Sequence, residues 1–443
     1  MEINKNEILD FIAVGVGPFN LGLACLTEPI ENLNGIFLDK SERFNWHPGM
    51  LMEYTTLQIP FMADLVTLAD PTNPYSFLNY IKQQGRIYSF YIKENFLLLR
   101  NEYNQYCQWV VKNLSNIQFQ TEVKEIVYNE NGAYYEVIVS NTKTAEKSIF
   151  KTKKIVLGTG TQPYIPECCK NLKKTAVHSS SYLKNKEQLQ QKKSITIVGS
   201  GQSAAEIFYD LLQEIDVYGY ELNWITRSSR FFPMEYAKLT LEMTSPEYVD
   251  YFYNLPAKKR DQLNKNQKNL YKGINEDLIG EIFDLMYAKR LISDVKINLR
   301  TNSELRKVDY DPALESFYLE LHQTEQDKYY QYKTEGLVLA TGYAYQQPHC
   351  ISSIIDRIKW DDQGRYDVNR NYSIDVEGNE IFVQNAELHT HGFITPDLGM
   401  ACYRNSYIIK EITGKDHYAI EKRIAFQQFG VTAEEEIKVP QSL

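Results

Sequence analysis

Near its N-terminus the chain reads Asp10-Phe-Ile-Ala-Val-Gly-Val-Gly-Pro-Phe-Asn-Leu-Gly-Leu-Ala24. The apolar run at the start of this sequence predicts a buried strand, and Pro18 predicts that a helix begins directly after the glycines. Gly15 allows a tight turn, whereas Gly17 lets a pyrophosphate approach the backbone N–H groups at the helix start. Asn20 replaces the third glycine of the dinucleotide-binding fingerprint, so this stretch alone also fits a glycine turn in another α/β protein.

A second predicted strand, Gly35-Ile-Phe-Leu-Asp39, follows the helix. In a dinucleotide-binding fold this strand ends in an acid that holds ribose hydroxyls, and Asp39 lies near the expected distance from the glycines. The alternative is a solvated carboxylate at the end of a strand. The glycines upstream favour the ribose role.

The same order of strand, glycine turn and helix returns in Ser194-Ile-Thr-Ile-Val-Gly-Ser-Gly-Gln-Ser-Ala-Ala-Glu-Ile207. Gly199 and Gly201 match the fingerprint, and Ala204 takes its third position. The next strand is followed by Arg227, and an arginine there favours NADPH because it can bind the 2′-phosphate. An ordinary surface arginine is the alternative. Two such units predict an α/β fold that binds two dinucleotides, one a flavin and one a nicotinamide.

The composition of the 443-residue chain limits its class. Apolar residues make up 43% and charged residues 24%, and the formal net charge of −9 argues against nucleic acid as a partner. The sequence has neither a run of about 18 apolar residues nor an N-terminal export signal, so we expect no membrane span and no export. Six cysteines without a Cys-x-x-Cys pair predict a reduced, cytoplasmic protein and exclude a dithiol disulfide reductase.

Several further motifs resemble those of one family. They are Trp46-His-Pro-Gly-Met50, Asp64-Leu-Val-Thr-Leu68, Tyr75-Ser-Phe-Leu-Asn-Tyr80, Ala340-Thr-Gly-Tyr343 and His389-Thr-His-Gly392. Together with the two glycine turns, and in this order, they resemble the flavin-dependent N-hydroxylating monooxygenases of siderophore biosynthesis. That group includes lysine, ornithine and diamine hydroxylases, and the resemblance covers nearly the whole chain.

The resemblance implies FAD at the first glycine turn, NADPH at the second, and a homo-oligomer, either a dimer or a tetramer. The implied reaction uses NADPH to reduce FAD and O2 to form a C4a-hydroperoxyflavin, whose distal oxygen is taken by a neutral amine. In this family NADP+ stays bound and shields the intermediate from water. The protein therefore contributes positioning and solvent exclusion, with no side chain acting as acid or base.

Motif matches also imply roles for individual residues. FAD contacts are implied for Gly15, Gly17, Pro18, Asn20, Asp39, Trp46, His47, Gln58, Thr341 and Gly342. NADPH contacts are implied for Gly199, Ser200, Gly201, Gln202, Ser203 and Arg227. Asn275 matches a family asparagine that contacts the substrate.

We predict two Rossmann-like dinucleotide-binding domains and a small helical substrate module. The FAD-binding domain is placed in residues 1–170 and 340–443, and the NADPH-binding domain in residues 171–235 and 295–339. The helical module is placed in residues 236–294, where the sequence turns polar and helical between prolines. Residues 90–114 are predicted as one helix, because aromatic and aliphatic residues recur there at helical spacing.

The substrate is indicated by departures from the family pattern. Ala63 stands where the amino-acid hydroxylases carry a lysine that binds the substrate carboxylate, and Leu241 stands where ornithine enzymes have a helpful asparagine. Without these groups a carboxylate would be unpaired, which is costly. We therefore expect a diamine, putrescine or cadaverine. L-lysine, L-ornithine and histamine are alternatives, and the first two require a basic residue from elsewhere in the chain.

A diamine also needs a partner for its far ammonium group. Glu242, Glu387 and Asp397 are candidates because they lie in segments near the expected site. His389 and His391 have a metal-binding spacing, but no third ligand accompanies them, so we expect no metal. A flavin-binding redox sensor is the non-enzyme alternative, although such a protein has no need for the second glycine turn and Arg227.

Overall fold

The computed structural model describes residues 7–172 and 175–437 of the chain. Residues 1–6, 173–174 and 438–443, which fall within the predicted domains, lie outside the described part. None of the helices in the described part is long and apolar enough to cross a membrane.

The strands form two parallel cores with antiparallel additions. They are β1 (Ile8–Val14), β2 (Gly35–Leu38), β3 (Thr56–Pro60), β4 (Leu97–Leu99), β5 (Ile117–Gln118), β6 (Thr121–Asn129), β7 (Tyr134–Asn141), β8 (Lys147–Leu157), β9 (Thr161–Pro163), β10 (Val177–His178), β11 (Ser194–Val198), β12 (Glu221–Ile225), β13 (Ile297–Arg300), β14 (Ser303–Asp311), β15 (Ser316–Gln323), β16 (Lys328–Thr334), β17 (Gly336–Leu339), β18 (Tyr343–Tyr345) and β19 (Ile381–Val383).

The α-helices cover these sheets or lie between them. They are α1 (Pro18–Thr27), α2 (Phe77–Gln83), α3 (Ile87–Lys93), α4 (Arg100–Asn113), α5 (Tyr182–Gln190), α6 (Gln202–Gln213), α7 (Ile215–Tyr218), α8 (Lys238–Leu241), α9 (Pro246–Tyr253), α10 (Ala257–Asn266), α11 (Glu276–Ile292), α12 (Leu388–His391) and α13 (Ala401–Thr413).

The first sheet has the order β5-β2-β1-β8-β7-β6, and β19 pairs with β8. Alternate side chains of β1 point to opposite faces, as expected for a strand that is buried on both sides. Phe11 and Ala13 pack with residues of α1, α4 and α13, whereas Ile12 and Val14 pack with β7 and a 3-10 helix at His349–Arg357. Both faces are therefore apolar, which explains the continuous hydrophobic run in the sequence.

The second sheet is wholly parallel, with the order β10-β17-β11-β12-β13. Residues of α6 and α11 cover one face, and the antiparallel sheet β14-β15-β16 contributes Phe317, Leu319 and Leu321 to the other. Each parallel sheet carries one glycine turn at the carboxyl end of a central strand, β1 or β11. The predicted pair of Rossmann-like sheets is confirmed, while the division into three domains stays a prediction.

The prediction of a single helix over residues 90–114 is wrong. The chain forms α3, then the short strand β4, and only then α4, which begins at Arg100. The break arises because β4 pairs antiparallel with β3, so that residues 97–99 are held extended by a segment distant in sequence. Helices α8 to α11 lie within residues 236–294, where the helical module was placed.

Candidate active site

The first glycine turn forms a backbone-lined cleft. Gly15 has φ +90°, and a Cβ on it would lie 2.4 Å from the carbonyl oxygen of Gly158. Gly17 is the N-cap of α1, and a Cβ there would meet no heavy atom within 4 Å. Gly160 and Gly342 are equally open, each with a positive φ. Three glycines thus face free space from different segments.

The start of α1 fits an anion. Neither a side-chain cap nor an acidic residue satisfies its first N–H groups, and Pro18 occupies its first position. Such N–H groups, at the positive end of the helix dipole, are well placed to bind a phosphate. The open space at Gly17 supplies room for it. The residues of this turn therefore fit the pyrophosphate of a dinucleotide.

Asp39 fixes the glycine turn at the end of β2. Its Oδ2 accepts the N–H of Val16 at 2.7 Å, and its Oδ1 accepts the N–H of Ser41 at 2.7 Å. Each carboxylate oxygen retains a further lone pair, which a ribose hydroxyl can donate to. The ribose role of Asp39 stays a prediction.

Asn20 supports the turn from inside the protein and does not line the cleft. The side chain is 1% exposed, and its Nδ2 donates to the carbonyl oxygen of Gly15 at 2.7 Å. Its Oδ1 accepts Nε2 of Gln384 at 2.7 Å. Because both ends of the amide are bonded internally, we infer that Asn20 acts on the cofactor site through the shape of the turn, and its direct contact with FAD stays a prediction.

A row of aromatic rings continues from this cleft. The ring of Trp46 lies 4.7 Å from that of His47, which lies 5.6 Å from Tyr343, which in turn lies 5.5 Å from His178. His47 has a left-handed backbone, with φ 48°. Burial and the nearby charge of Arg100 lower the pKa of His47 to about 4, so its ring is neutral at physiological pH.

The Ala340-Thr-Gly-Tyr segment holds this row in place. The carbonyl oxygen of Gly342 accepts the N–H of Tyr164 at 2.9 Å and lies 3.2 Å from Nε2 of His178. The hydroxyl of Thr341 donates to the carbonyl oxygen of Tyr164. Thr341 and Gly342 therefore anchor the segment after β17 to Tyr164, which directly follows β9.

The second glycine turn repeats the design of the first. A Cβ on Gly199 would lie 2.2 Å from the carbonyl oxygen of Ala340, so only glycine fits there. Gly201 is the N-cap of α6, again without a side-chain cap or an acid in the first turn. Ser200, Gln202 and Ser203 are only partly buried around it. These residues fit a second pyrophosphate.

Three basic residues, Arg227, Lys268 and Lys272, lie near the second glycine turn. Arg227 is exposed just beyond β12, and a Cβ on Gly201 would lie 3.5 Å from the carbonyl oxygen of Lys272. Burial lowers the pKa of Lys272, and the charges of Lys268 and Arg227 lower it further. Three cations near one helix start suit a ligand with several phosphates, such as NADPH.

One network joins residues predicted for three different ligands. Nε2 of Gln58 donates to Oε1 of Gln202 at 3.2 Å, and the N–H of Asn275 donates to the same oxygen at 2.8 Å. Oδ1 of Asn275 also caps α11 by accepting the N–H of Leu278 at 3.0 Å. The predicted flavin, NADPH and substrate residues thus meet at Gln202.

The sequence did not predict the ion pair beneath this network. Arg100 donates to both carboxylate oxygens of Glu206, at 2.7 and 2.8 Å, and Glu206 is 1% exposed. Nε2 of Gln202 donates to the same carboxylate at 2.8 Å. The only available signal was a charged residue in the apolar first turns of α6, because its partner is 106 residues away.

The substrate side is defined by a small residue. Ala63 is buried, and its Cβ would lie 3.8 Å from a Cβ on Gly399. Asp397 accepts the N–H of Gly399 with Oδ1 at 2.7 Å. Position 63 therefore carries a methyl group, and this methyl and the carboxylate of Asp397 both lie next to Gly399. Leu241, at the end of α8, is 39% exposed.

Two of the candidate acids are already engaged. Glu242 accepts the backbone N–H groups of Phe426 and Gln427, both at 3.0 Å. Glu387 is fully buried, and its Oε1 lies 2.9 Å from Nε of Arg404. Glu242 is held by neutral donors and Glu387 by a guanidinium, so both carboxylates already have partners within the protein, and their role towards a far ammonium stays a prediction.

Comparison with known proteins places the chain in context. The family model for L-lysine 6-monooxygenase/L-ornithine 5-monooxygenase matches residues 7–345. A putrescine N-hydroxylase from Shewanella oneidensis is 52% identical over 97% of this chain and 85% of its own length. A putrescine N-hydroxylase from Acinetobacter baumannii is 47% identical over 98% of this chain and 96% of its own.

A solved structure is similarly close. The crystal structure of a cadaverine monooxygenase of the desferrioxamine biosynthetic pathway from Erwinia amylovora, bound to FAD, superimposes with a TM-score of 0.95. It is 57% identical and covers 97% of this chain and 100% of that one.

Proposed function

Because this chain belongs to the L-lysine 6-monooxygenase/L-ornithine 5-monooxygenase family, we propose that it N-hydroxylates one amino group of a diamine, putrescine or cadaverine. The product would serve the biosynthesis of a hydroxamate siderophore. The enzyme is an NADPH-dependent flavin monooxygenase whose cofactors are FAD and NADPH, and O2 is its second substrate.

The observation that carries the diamine assignment is Ala63 beside Gly399 and Asp397. An amino-acid substrate would bring its carboxylate to a position that offers a methyl group and a second carboxylate. Arg404 is the nearby cation, but it is 1% exposed and paired with Glu387. A substrate without a carboxylate avoids an unpaired buried anion.

The protein's residues bind and orient the cofactors. The open N-termini of α1 and α6 would hold the two pyrophosphates, and Arg227 with Lys272 would hold the additional phosphate of NADPH. Bound FAD supplies the hydride acceptor and the oxygen-activating ring that no amino-acid side chain can provide. Gln58 and Asn275, both bonded to Gln202, would set the relative positions of ring, nicotinamide and amine.

Exclusion of water is the second contribution of the chain. The hydroxyl of Tyr236 donates to the backbone carbonyl of Gln58, which joins the segment before α8 to β3 over this region. Because the pKa of His47 is lowered to about 4, its ring is neutral at physiological pH and carries no imidazolium proton to release. Both features protect a reactive flavin from solvent and stray protons.

An amine panel tests this proposal. NADPH oxidation, hydroxylamine formation and product mass are measured with putrescine, cadaverine, histamine, L-ornithine and L-lysine. We expect coupled turnover of the two diamines and at least about 100-fold lower kcat/KM for the amino acids, because a buried unpaired carboxylate is costly.

Two other results would contradict the proposed function. Coupled turnover of L-ornithine or L-lysine with weak diamine activity would refute the diamine assignment. Flavin binding without NADPH oxidation in the presence of any amine would favour the redox sensor. The second glycine turn and its three cations support the enzyme, because a flavin-storing protein has no use for them.

We further propose that the protein is a cytoplasmic homo-oligomer, a dimer or a tetramer. Apolar and aromatic side chains are strongly exposed on α3 and α11, among them Tyr88, Ile92, Phe283 and Ile292. Grouped exposure of this kind is typical of protein–protein interfaces. All six cysteines are free thiols, which suits a reducing compartment.

A further inference from the structure

Asp397 is an acidic residue next to the position where the amino-acid hydroxylases carry a lysine. Its Oδ1 accepts the N–H of Gly399 at 2.7 Å, and the Cα of Gly399 faces the Ala63 methyl closely enough that an added Cβ would lie 3.8 Å away. Ala63 and Asp397 therefore flank one glycine. A cation at position 63, as in the amino-acid hydroxylases, would be a neighbour of this carboxylate.

The carboxylate of Asp397 is incompletely satisfied by the protein. Within residues 7–172 and 175–437, the N–H of Gly399 is the single hydrogen-bond donor that reaches it, and Oδ2 receives none. Burial raises the pKa of Asp397 because the charged form is poorly solvated there. A partly buried carboxylate with one neutral donor is well suited to accept an external cation.

The charges around Asp397 leave an excess of one negative charge. The guanidinium of Arg404 lies 2.9 Å from Glu387 and donates to the carbonyl oxygen of Thr395 at 2.6 Å. Its charge reaches Asp397 only over a longer range. Two carboxylates share one guanidinium, so the group matches a single additional cation.

Asp397 also adjoins the residues of the cofactor network. Burial and the charge of Asp397 both raise the pKa of Tyr236, whose hydroxyl donates to the backbone of Gln58. Gln58 in turn contacts Gln202, which holds Asn275. One end of this arrangement is amide-rich and neutral, and the other end is acidic. A molecule with one neutral and one protonated amine has the same polarity.

We propose that Asp397 binds the distal ammonium group of the diamine and thereby sets the preference for diamines over both amino acids and monoamines. This inference rests on the function proposed above. The substrate amine that reacts stays neutral at the amide-rich end, while the protonated amine forms a charge-assisted hydrogen bond with Oδ2 of Asp397. The alanine at position 63 is then the necessary complement, since a lysine there would occupy the same carboxylate.

The test compares putrescine with butylamine, which lacks only the second amino group. In Asp397→Asn the ratio of kcat/KM for putrescine to that for butylamine should fall about 100-fold, mainly through the KM for putrescine, because a buried charge pair is lost. Asp416→Asn removes an exposed carboxylate that pairs with Lys410, and it should keep the wild-type ratio.

A second variant keeps the test decisive if Asp397→Asn folds poorly. Ala63→Lys should lower the same ratio, because the new ammonium competes with that of putrescine for Asp397. FAD content and melting temperature of each variant report folding separately. An unchanged ratio in either well-folded variant, or an equal loss with both amines, overturns the role of Asp397.

The function proposed above and the role of Asp397 can be refuted separately. If the wild-type enzyme hydroxylates no diamine, the function proposed above is wrong and Asp397 has no diamine to bind. If the wild-type enzyme prefers putrescine and Asp397→Asn keeps that preference, only the role of Asp397 is refuted.

Discussion

Single residues of the first glycine turn meet different physical demands. Gly15 has a left-handed backbone, and a Cβ on it would lie 2.4 Å from the carbonyl oxygen of Gly158, so the absence of a side chain is required for folding. Gly17 has φ −91° and open space around it, so an alanine is compatible with the protein alone. The open space at Gly17 fits the pyrophosphate predicted to bind there.

Alanine at each glycine should therefore separate stability from cofactor binding. Gly15→Ala should lower the free energy of unfolding of the FAD-free protein by about 2 kcal/mol or more, through backbone strain and the clash with Gly158. Gly17→Ala should change it by less than about 1 kcal/mol but weaken FAD binding. Urea denaturation of the FAD-free protein and fluorescence titration with FAD measure the two effects.

The pair of variants serves as its own control, because the substitutions are chemically identical and two residues apart. Equal losses of stability in both would show that Gly17 is a structural residue. Unchanged FAD affinity in Gly17→Ala would remove the first turn as the pyrophosphate site.

Local chemistry explains which residues could be identified from the sequence. Gly15, Gly17 and Pro18 act through backbone geometry, which short stretches of sequence encode. Asn20 could be noticed but not understood, since its partner Gln384 lies 364 residues away. Roles that depend on such distant partners are set by tertiary packing and leave no local pattern.

At the scale of elements, residues 424–427, which follow α13, are hydrogen-bonded to the helical region that contains α8 and α9. Glu242 accepts two backbone N–H groups of residues 426–427, and Glu247, in the first turn of α9, accepts those of Ile424 and Ala425 at 2.6 and 2.9 Å. Four charge-assisted hydrogen bonds hold an otherwise exposed segment. Both acids lie shortly after Tyr236 in the sequence.

Neutralising both acids should loosen this segment. In the double variant Glu242→Gln/Glu247→Gln we expect faster trypsin cleavage after Lys422 and Arg423, because weaker neutral hydrogen bonds hold the backbone that follows them. Limited proteolysis followed by mass spectrometry measures the rate at this site. Glu434→Gln, an exposed acid further along, should leave the rate unchanged, and equal rates in all three proteins would contradict the fastening role.

Helices and strands were predicted well where one apolar periodicity dominates the sequence. They were predicted poorly where local periodicity and pairing with a distant strand favour different structures. The strands with glycine turns and the helices α9, α11 and α13 follow simple periodicity. Residues 90–114 carry a helical pattern, yet Leu97–Leu99 pairs with β3 and interrupts it. The segment near residue 425 has no periodicity at all, and nothing in the sequence indicated that Glu242 and Glu247 would bind its backbone.

For the whole molecule, the sequence predicts two nucleotide units but not how they meet. The contact is polar and partly buried: Gln58 reaches Gln202 from the first unit, and Arg100 reaches Glu206. Apolar periodicity reports each core separately, whereas this junction depends on a few side chains from both. The candidate site lies at this junction. Its glycine turns follow from local sequence patterns, whereas Gln58 and Asn275 could be identified only through resemblance to a family, and the Arg100–Glu206 pair was not predicted.

Buried histidines make the whole fold sensitive to acid. Desolvation lowers the pKa of four histidines, of which His178 and His391 are buried, His389 is half-buried and His47 is exposed. His391 is fully buried beside the charges of Arg370 and Arg404, and its ring stacks on Tyr372 at 4.5 Å. A proton on this ring is far more favourable in the unfolded chain.

The sign of the effect follows from proton linkage. Above the unfolded pKa, near 6.5, His391 is neutral in both states and its contribution to stability is fully present. As the pH falls below that value, only the unfolded chain takes up the proton, so the free energy of unfolding drops by up to about 1.4 kcal/mol per pH unit. Buried acids such as Glu206, whose pKa is raised by burial, act in the opposite sense.

A single substitution isolates the contribution of His391 from these opposing groups. His391→Gln retains an amide that can donate to the carbonyl oxygen of Arg370, which lies 3.3 Å from Nε2 of the histidine, but it does not titrate. Urea denaturation at several pH values measures the free energy of unfolding of both proteins. We expect the wild type to lose more stability than the variant between pH 7 and pH 5. The exposed His349→Gln should show no such shift. A pH-independent difference for His391→Gln would mean that this ring takes up a proton equally in the folded and unfolded chain, which its position between two arginines opposes.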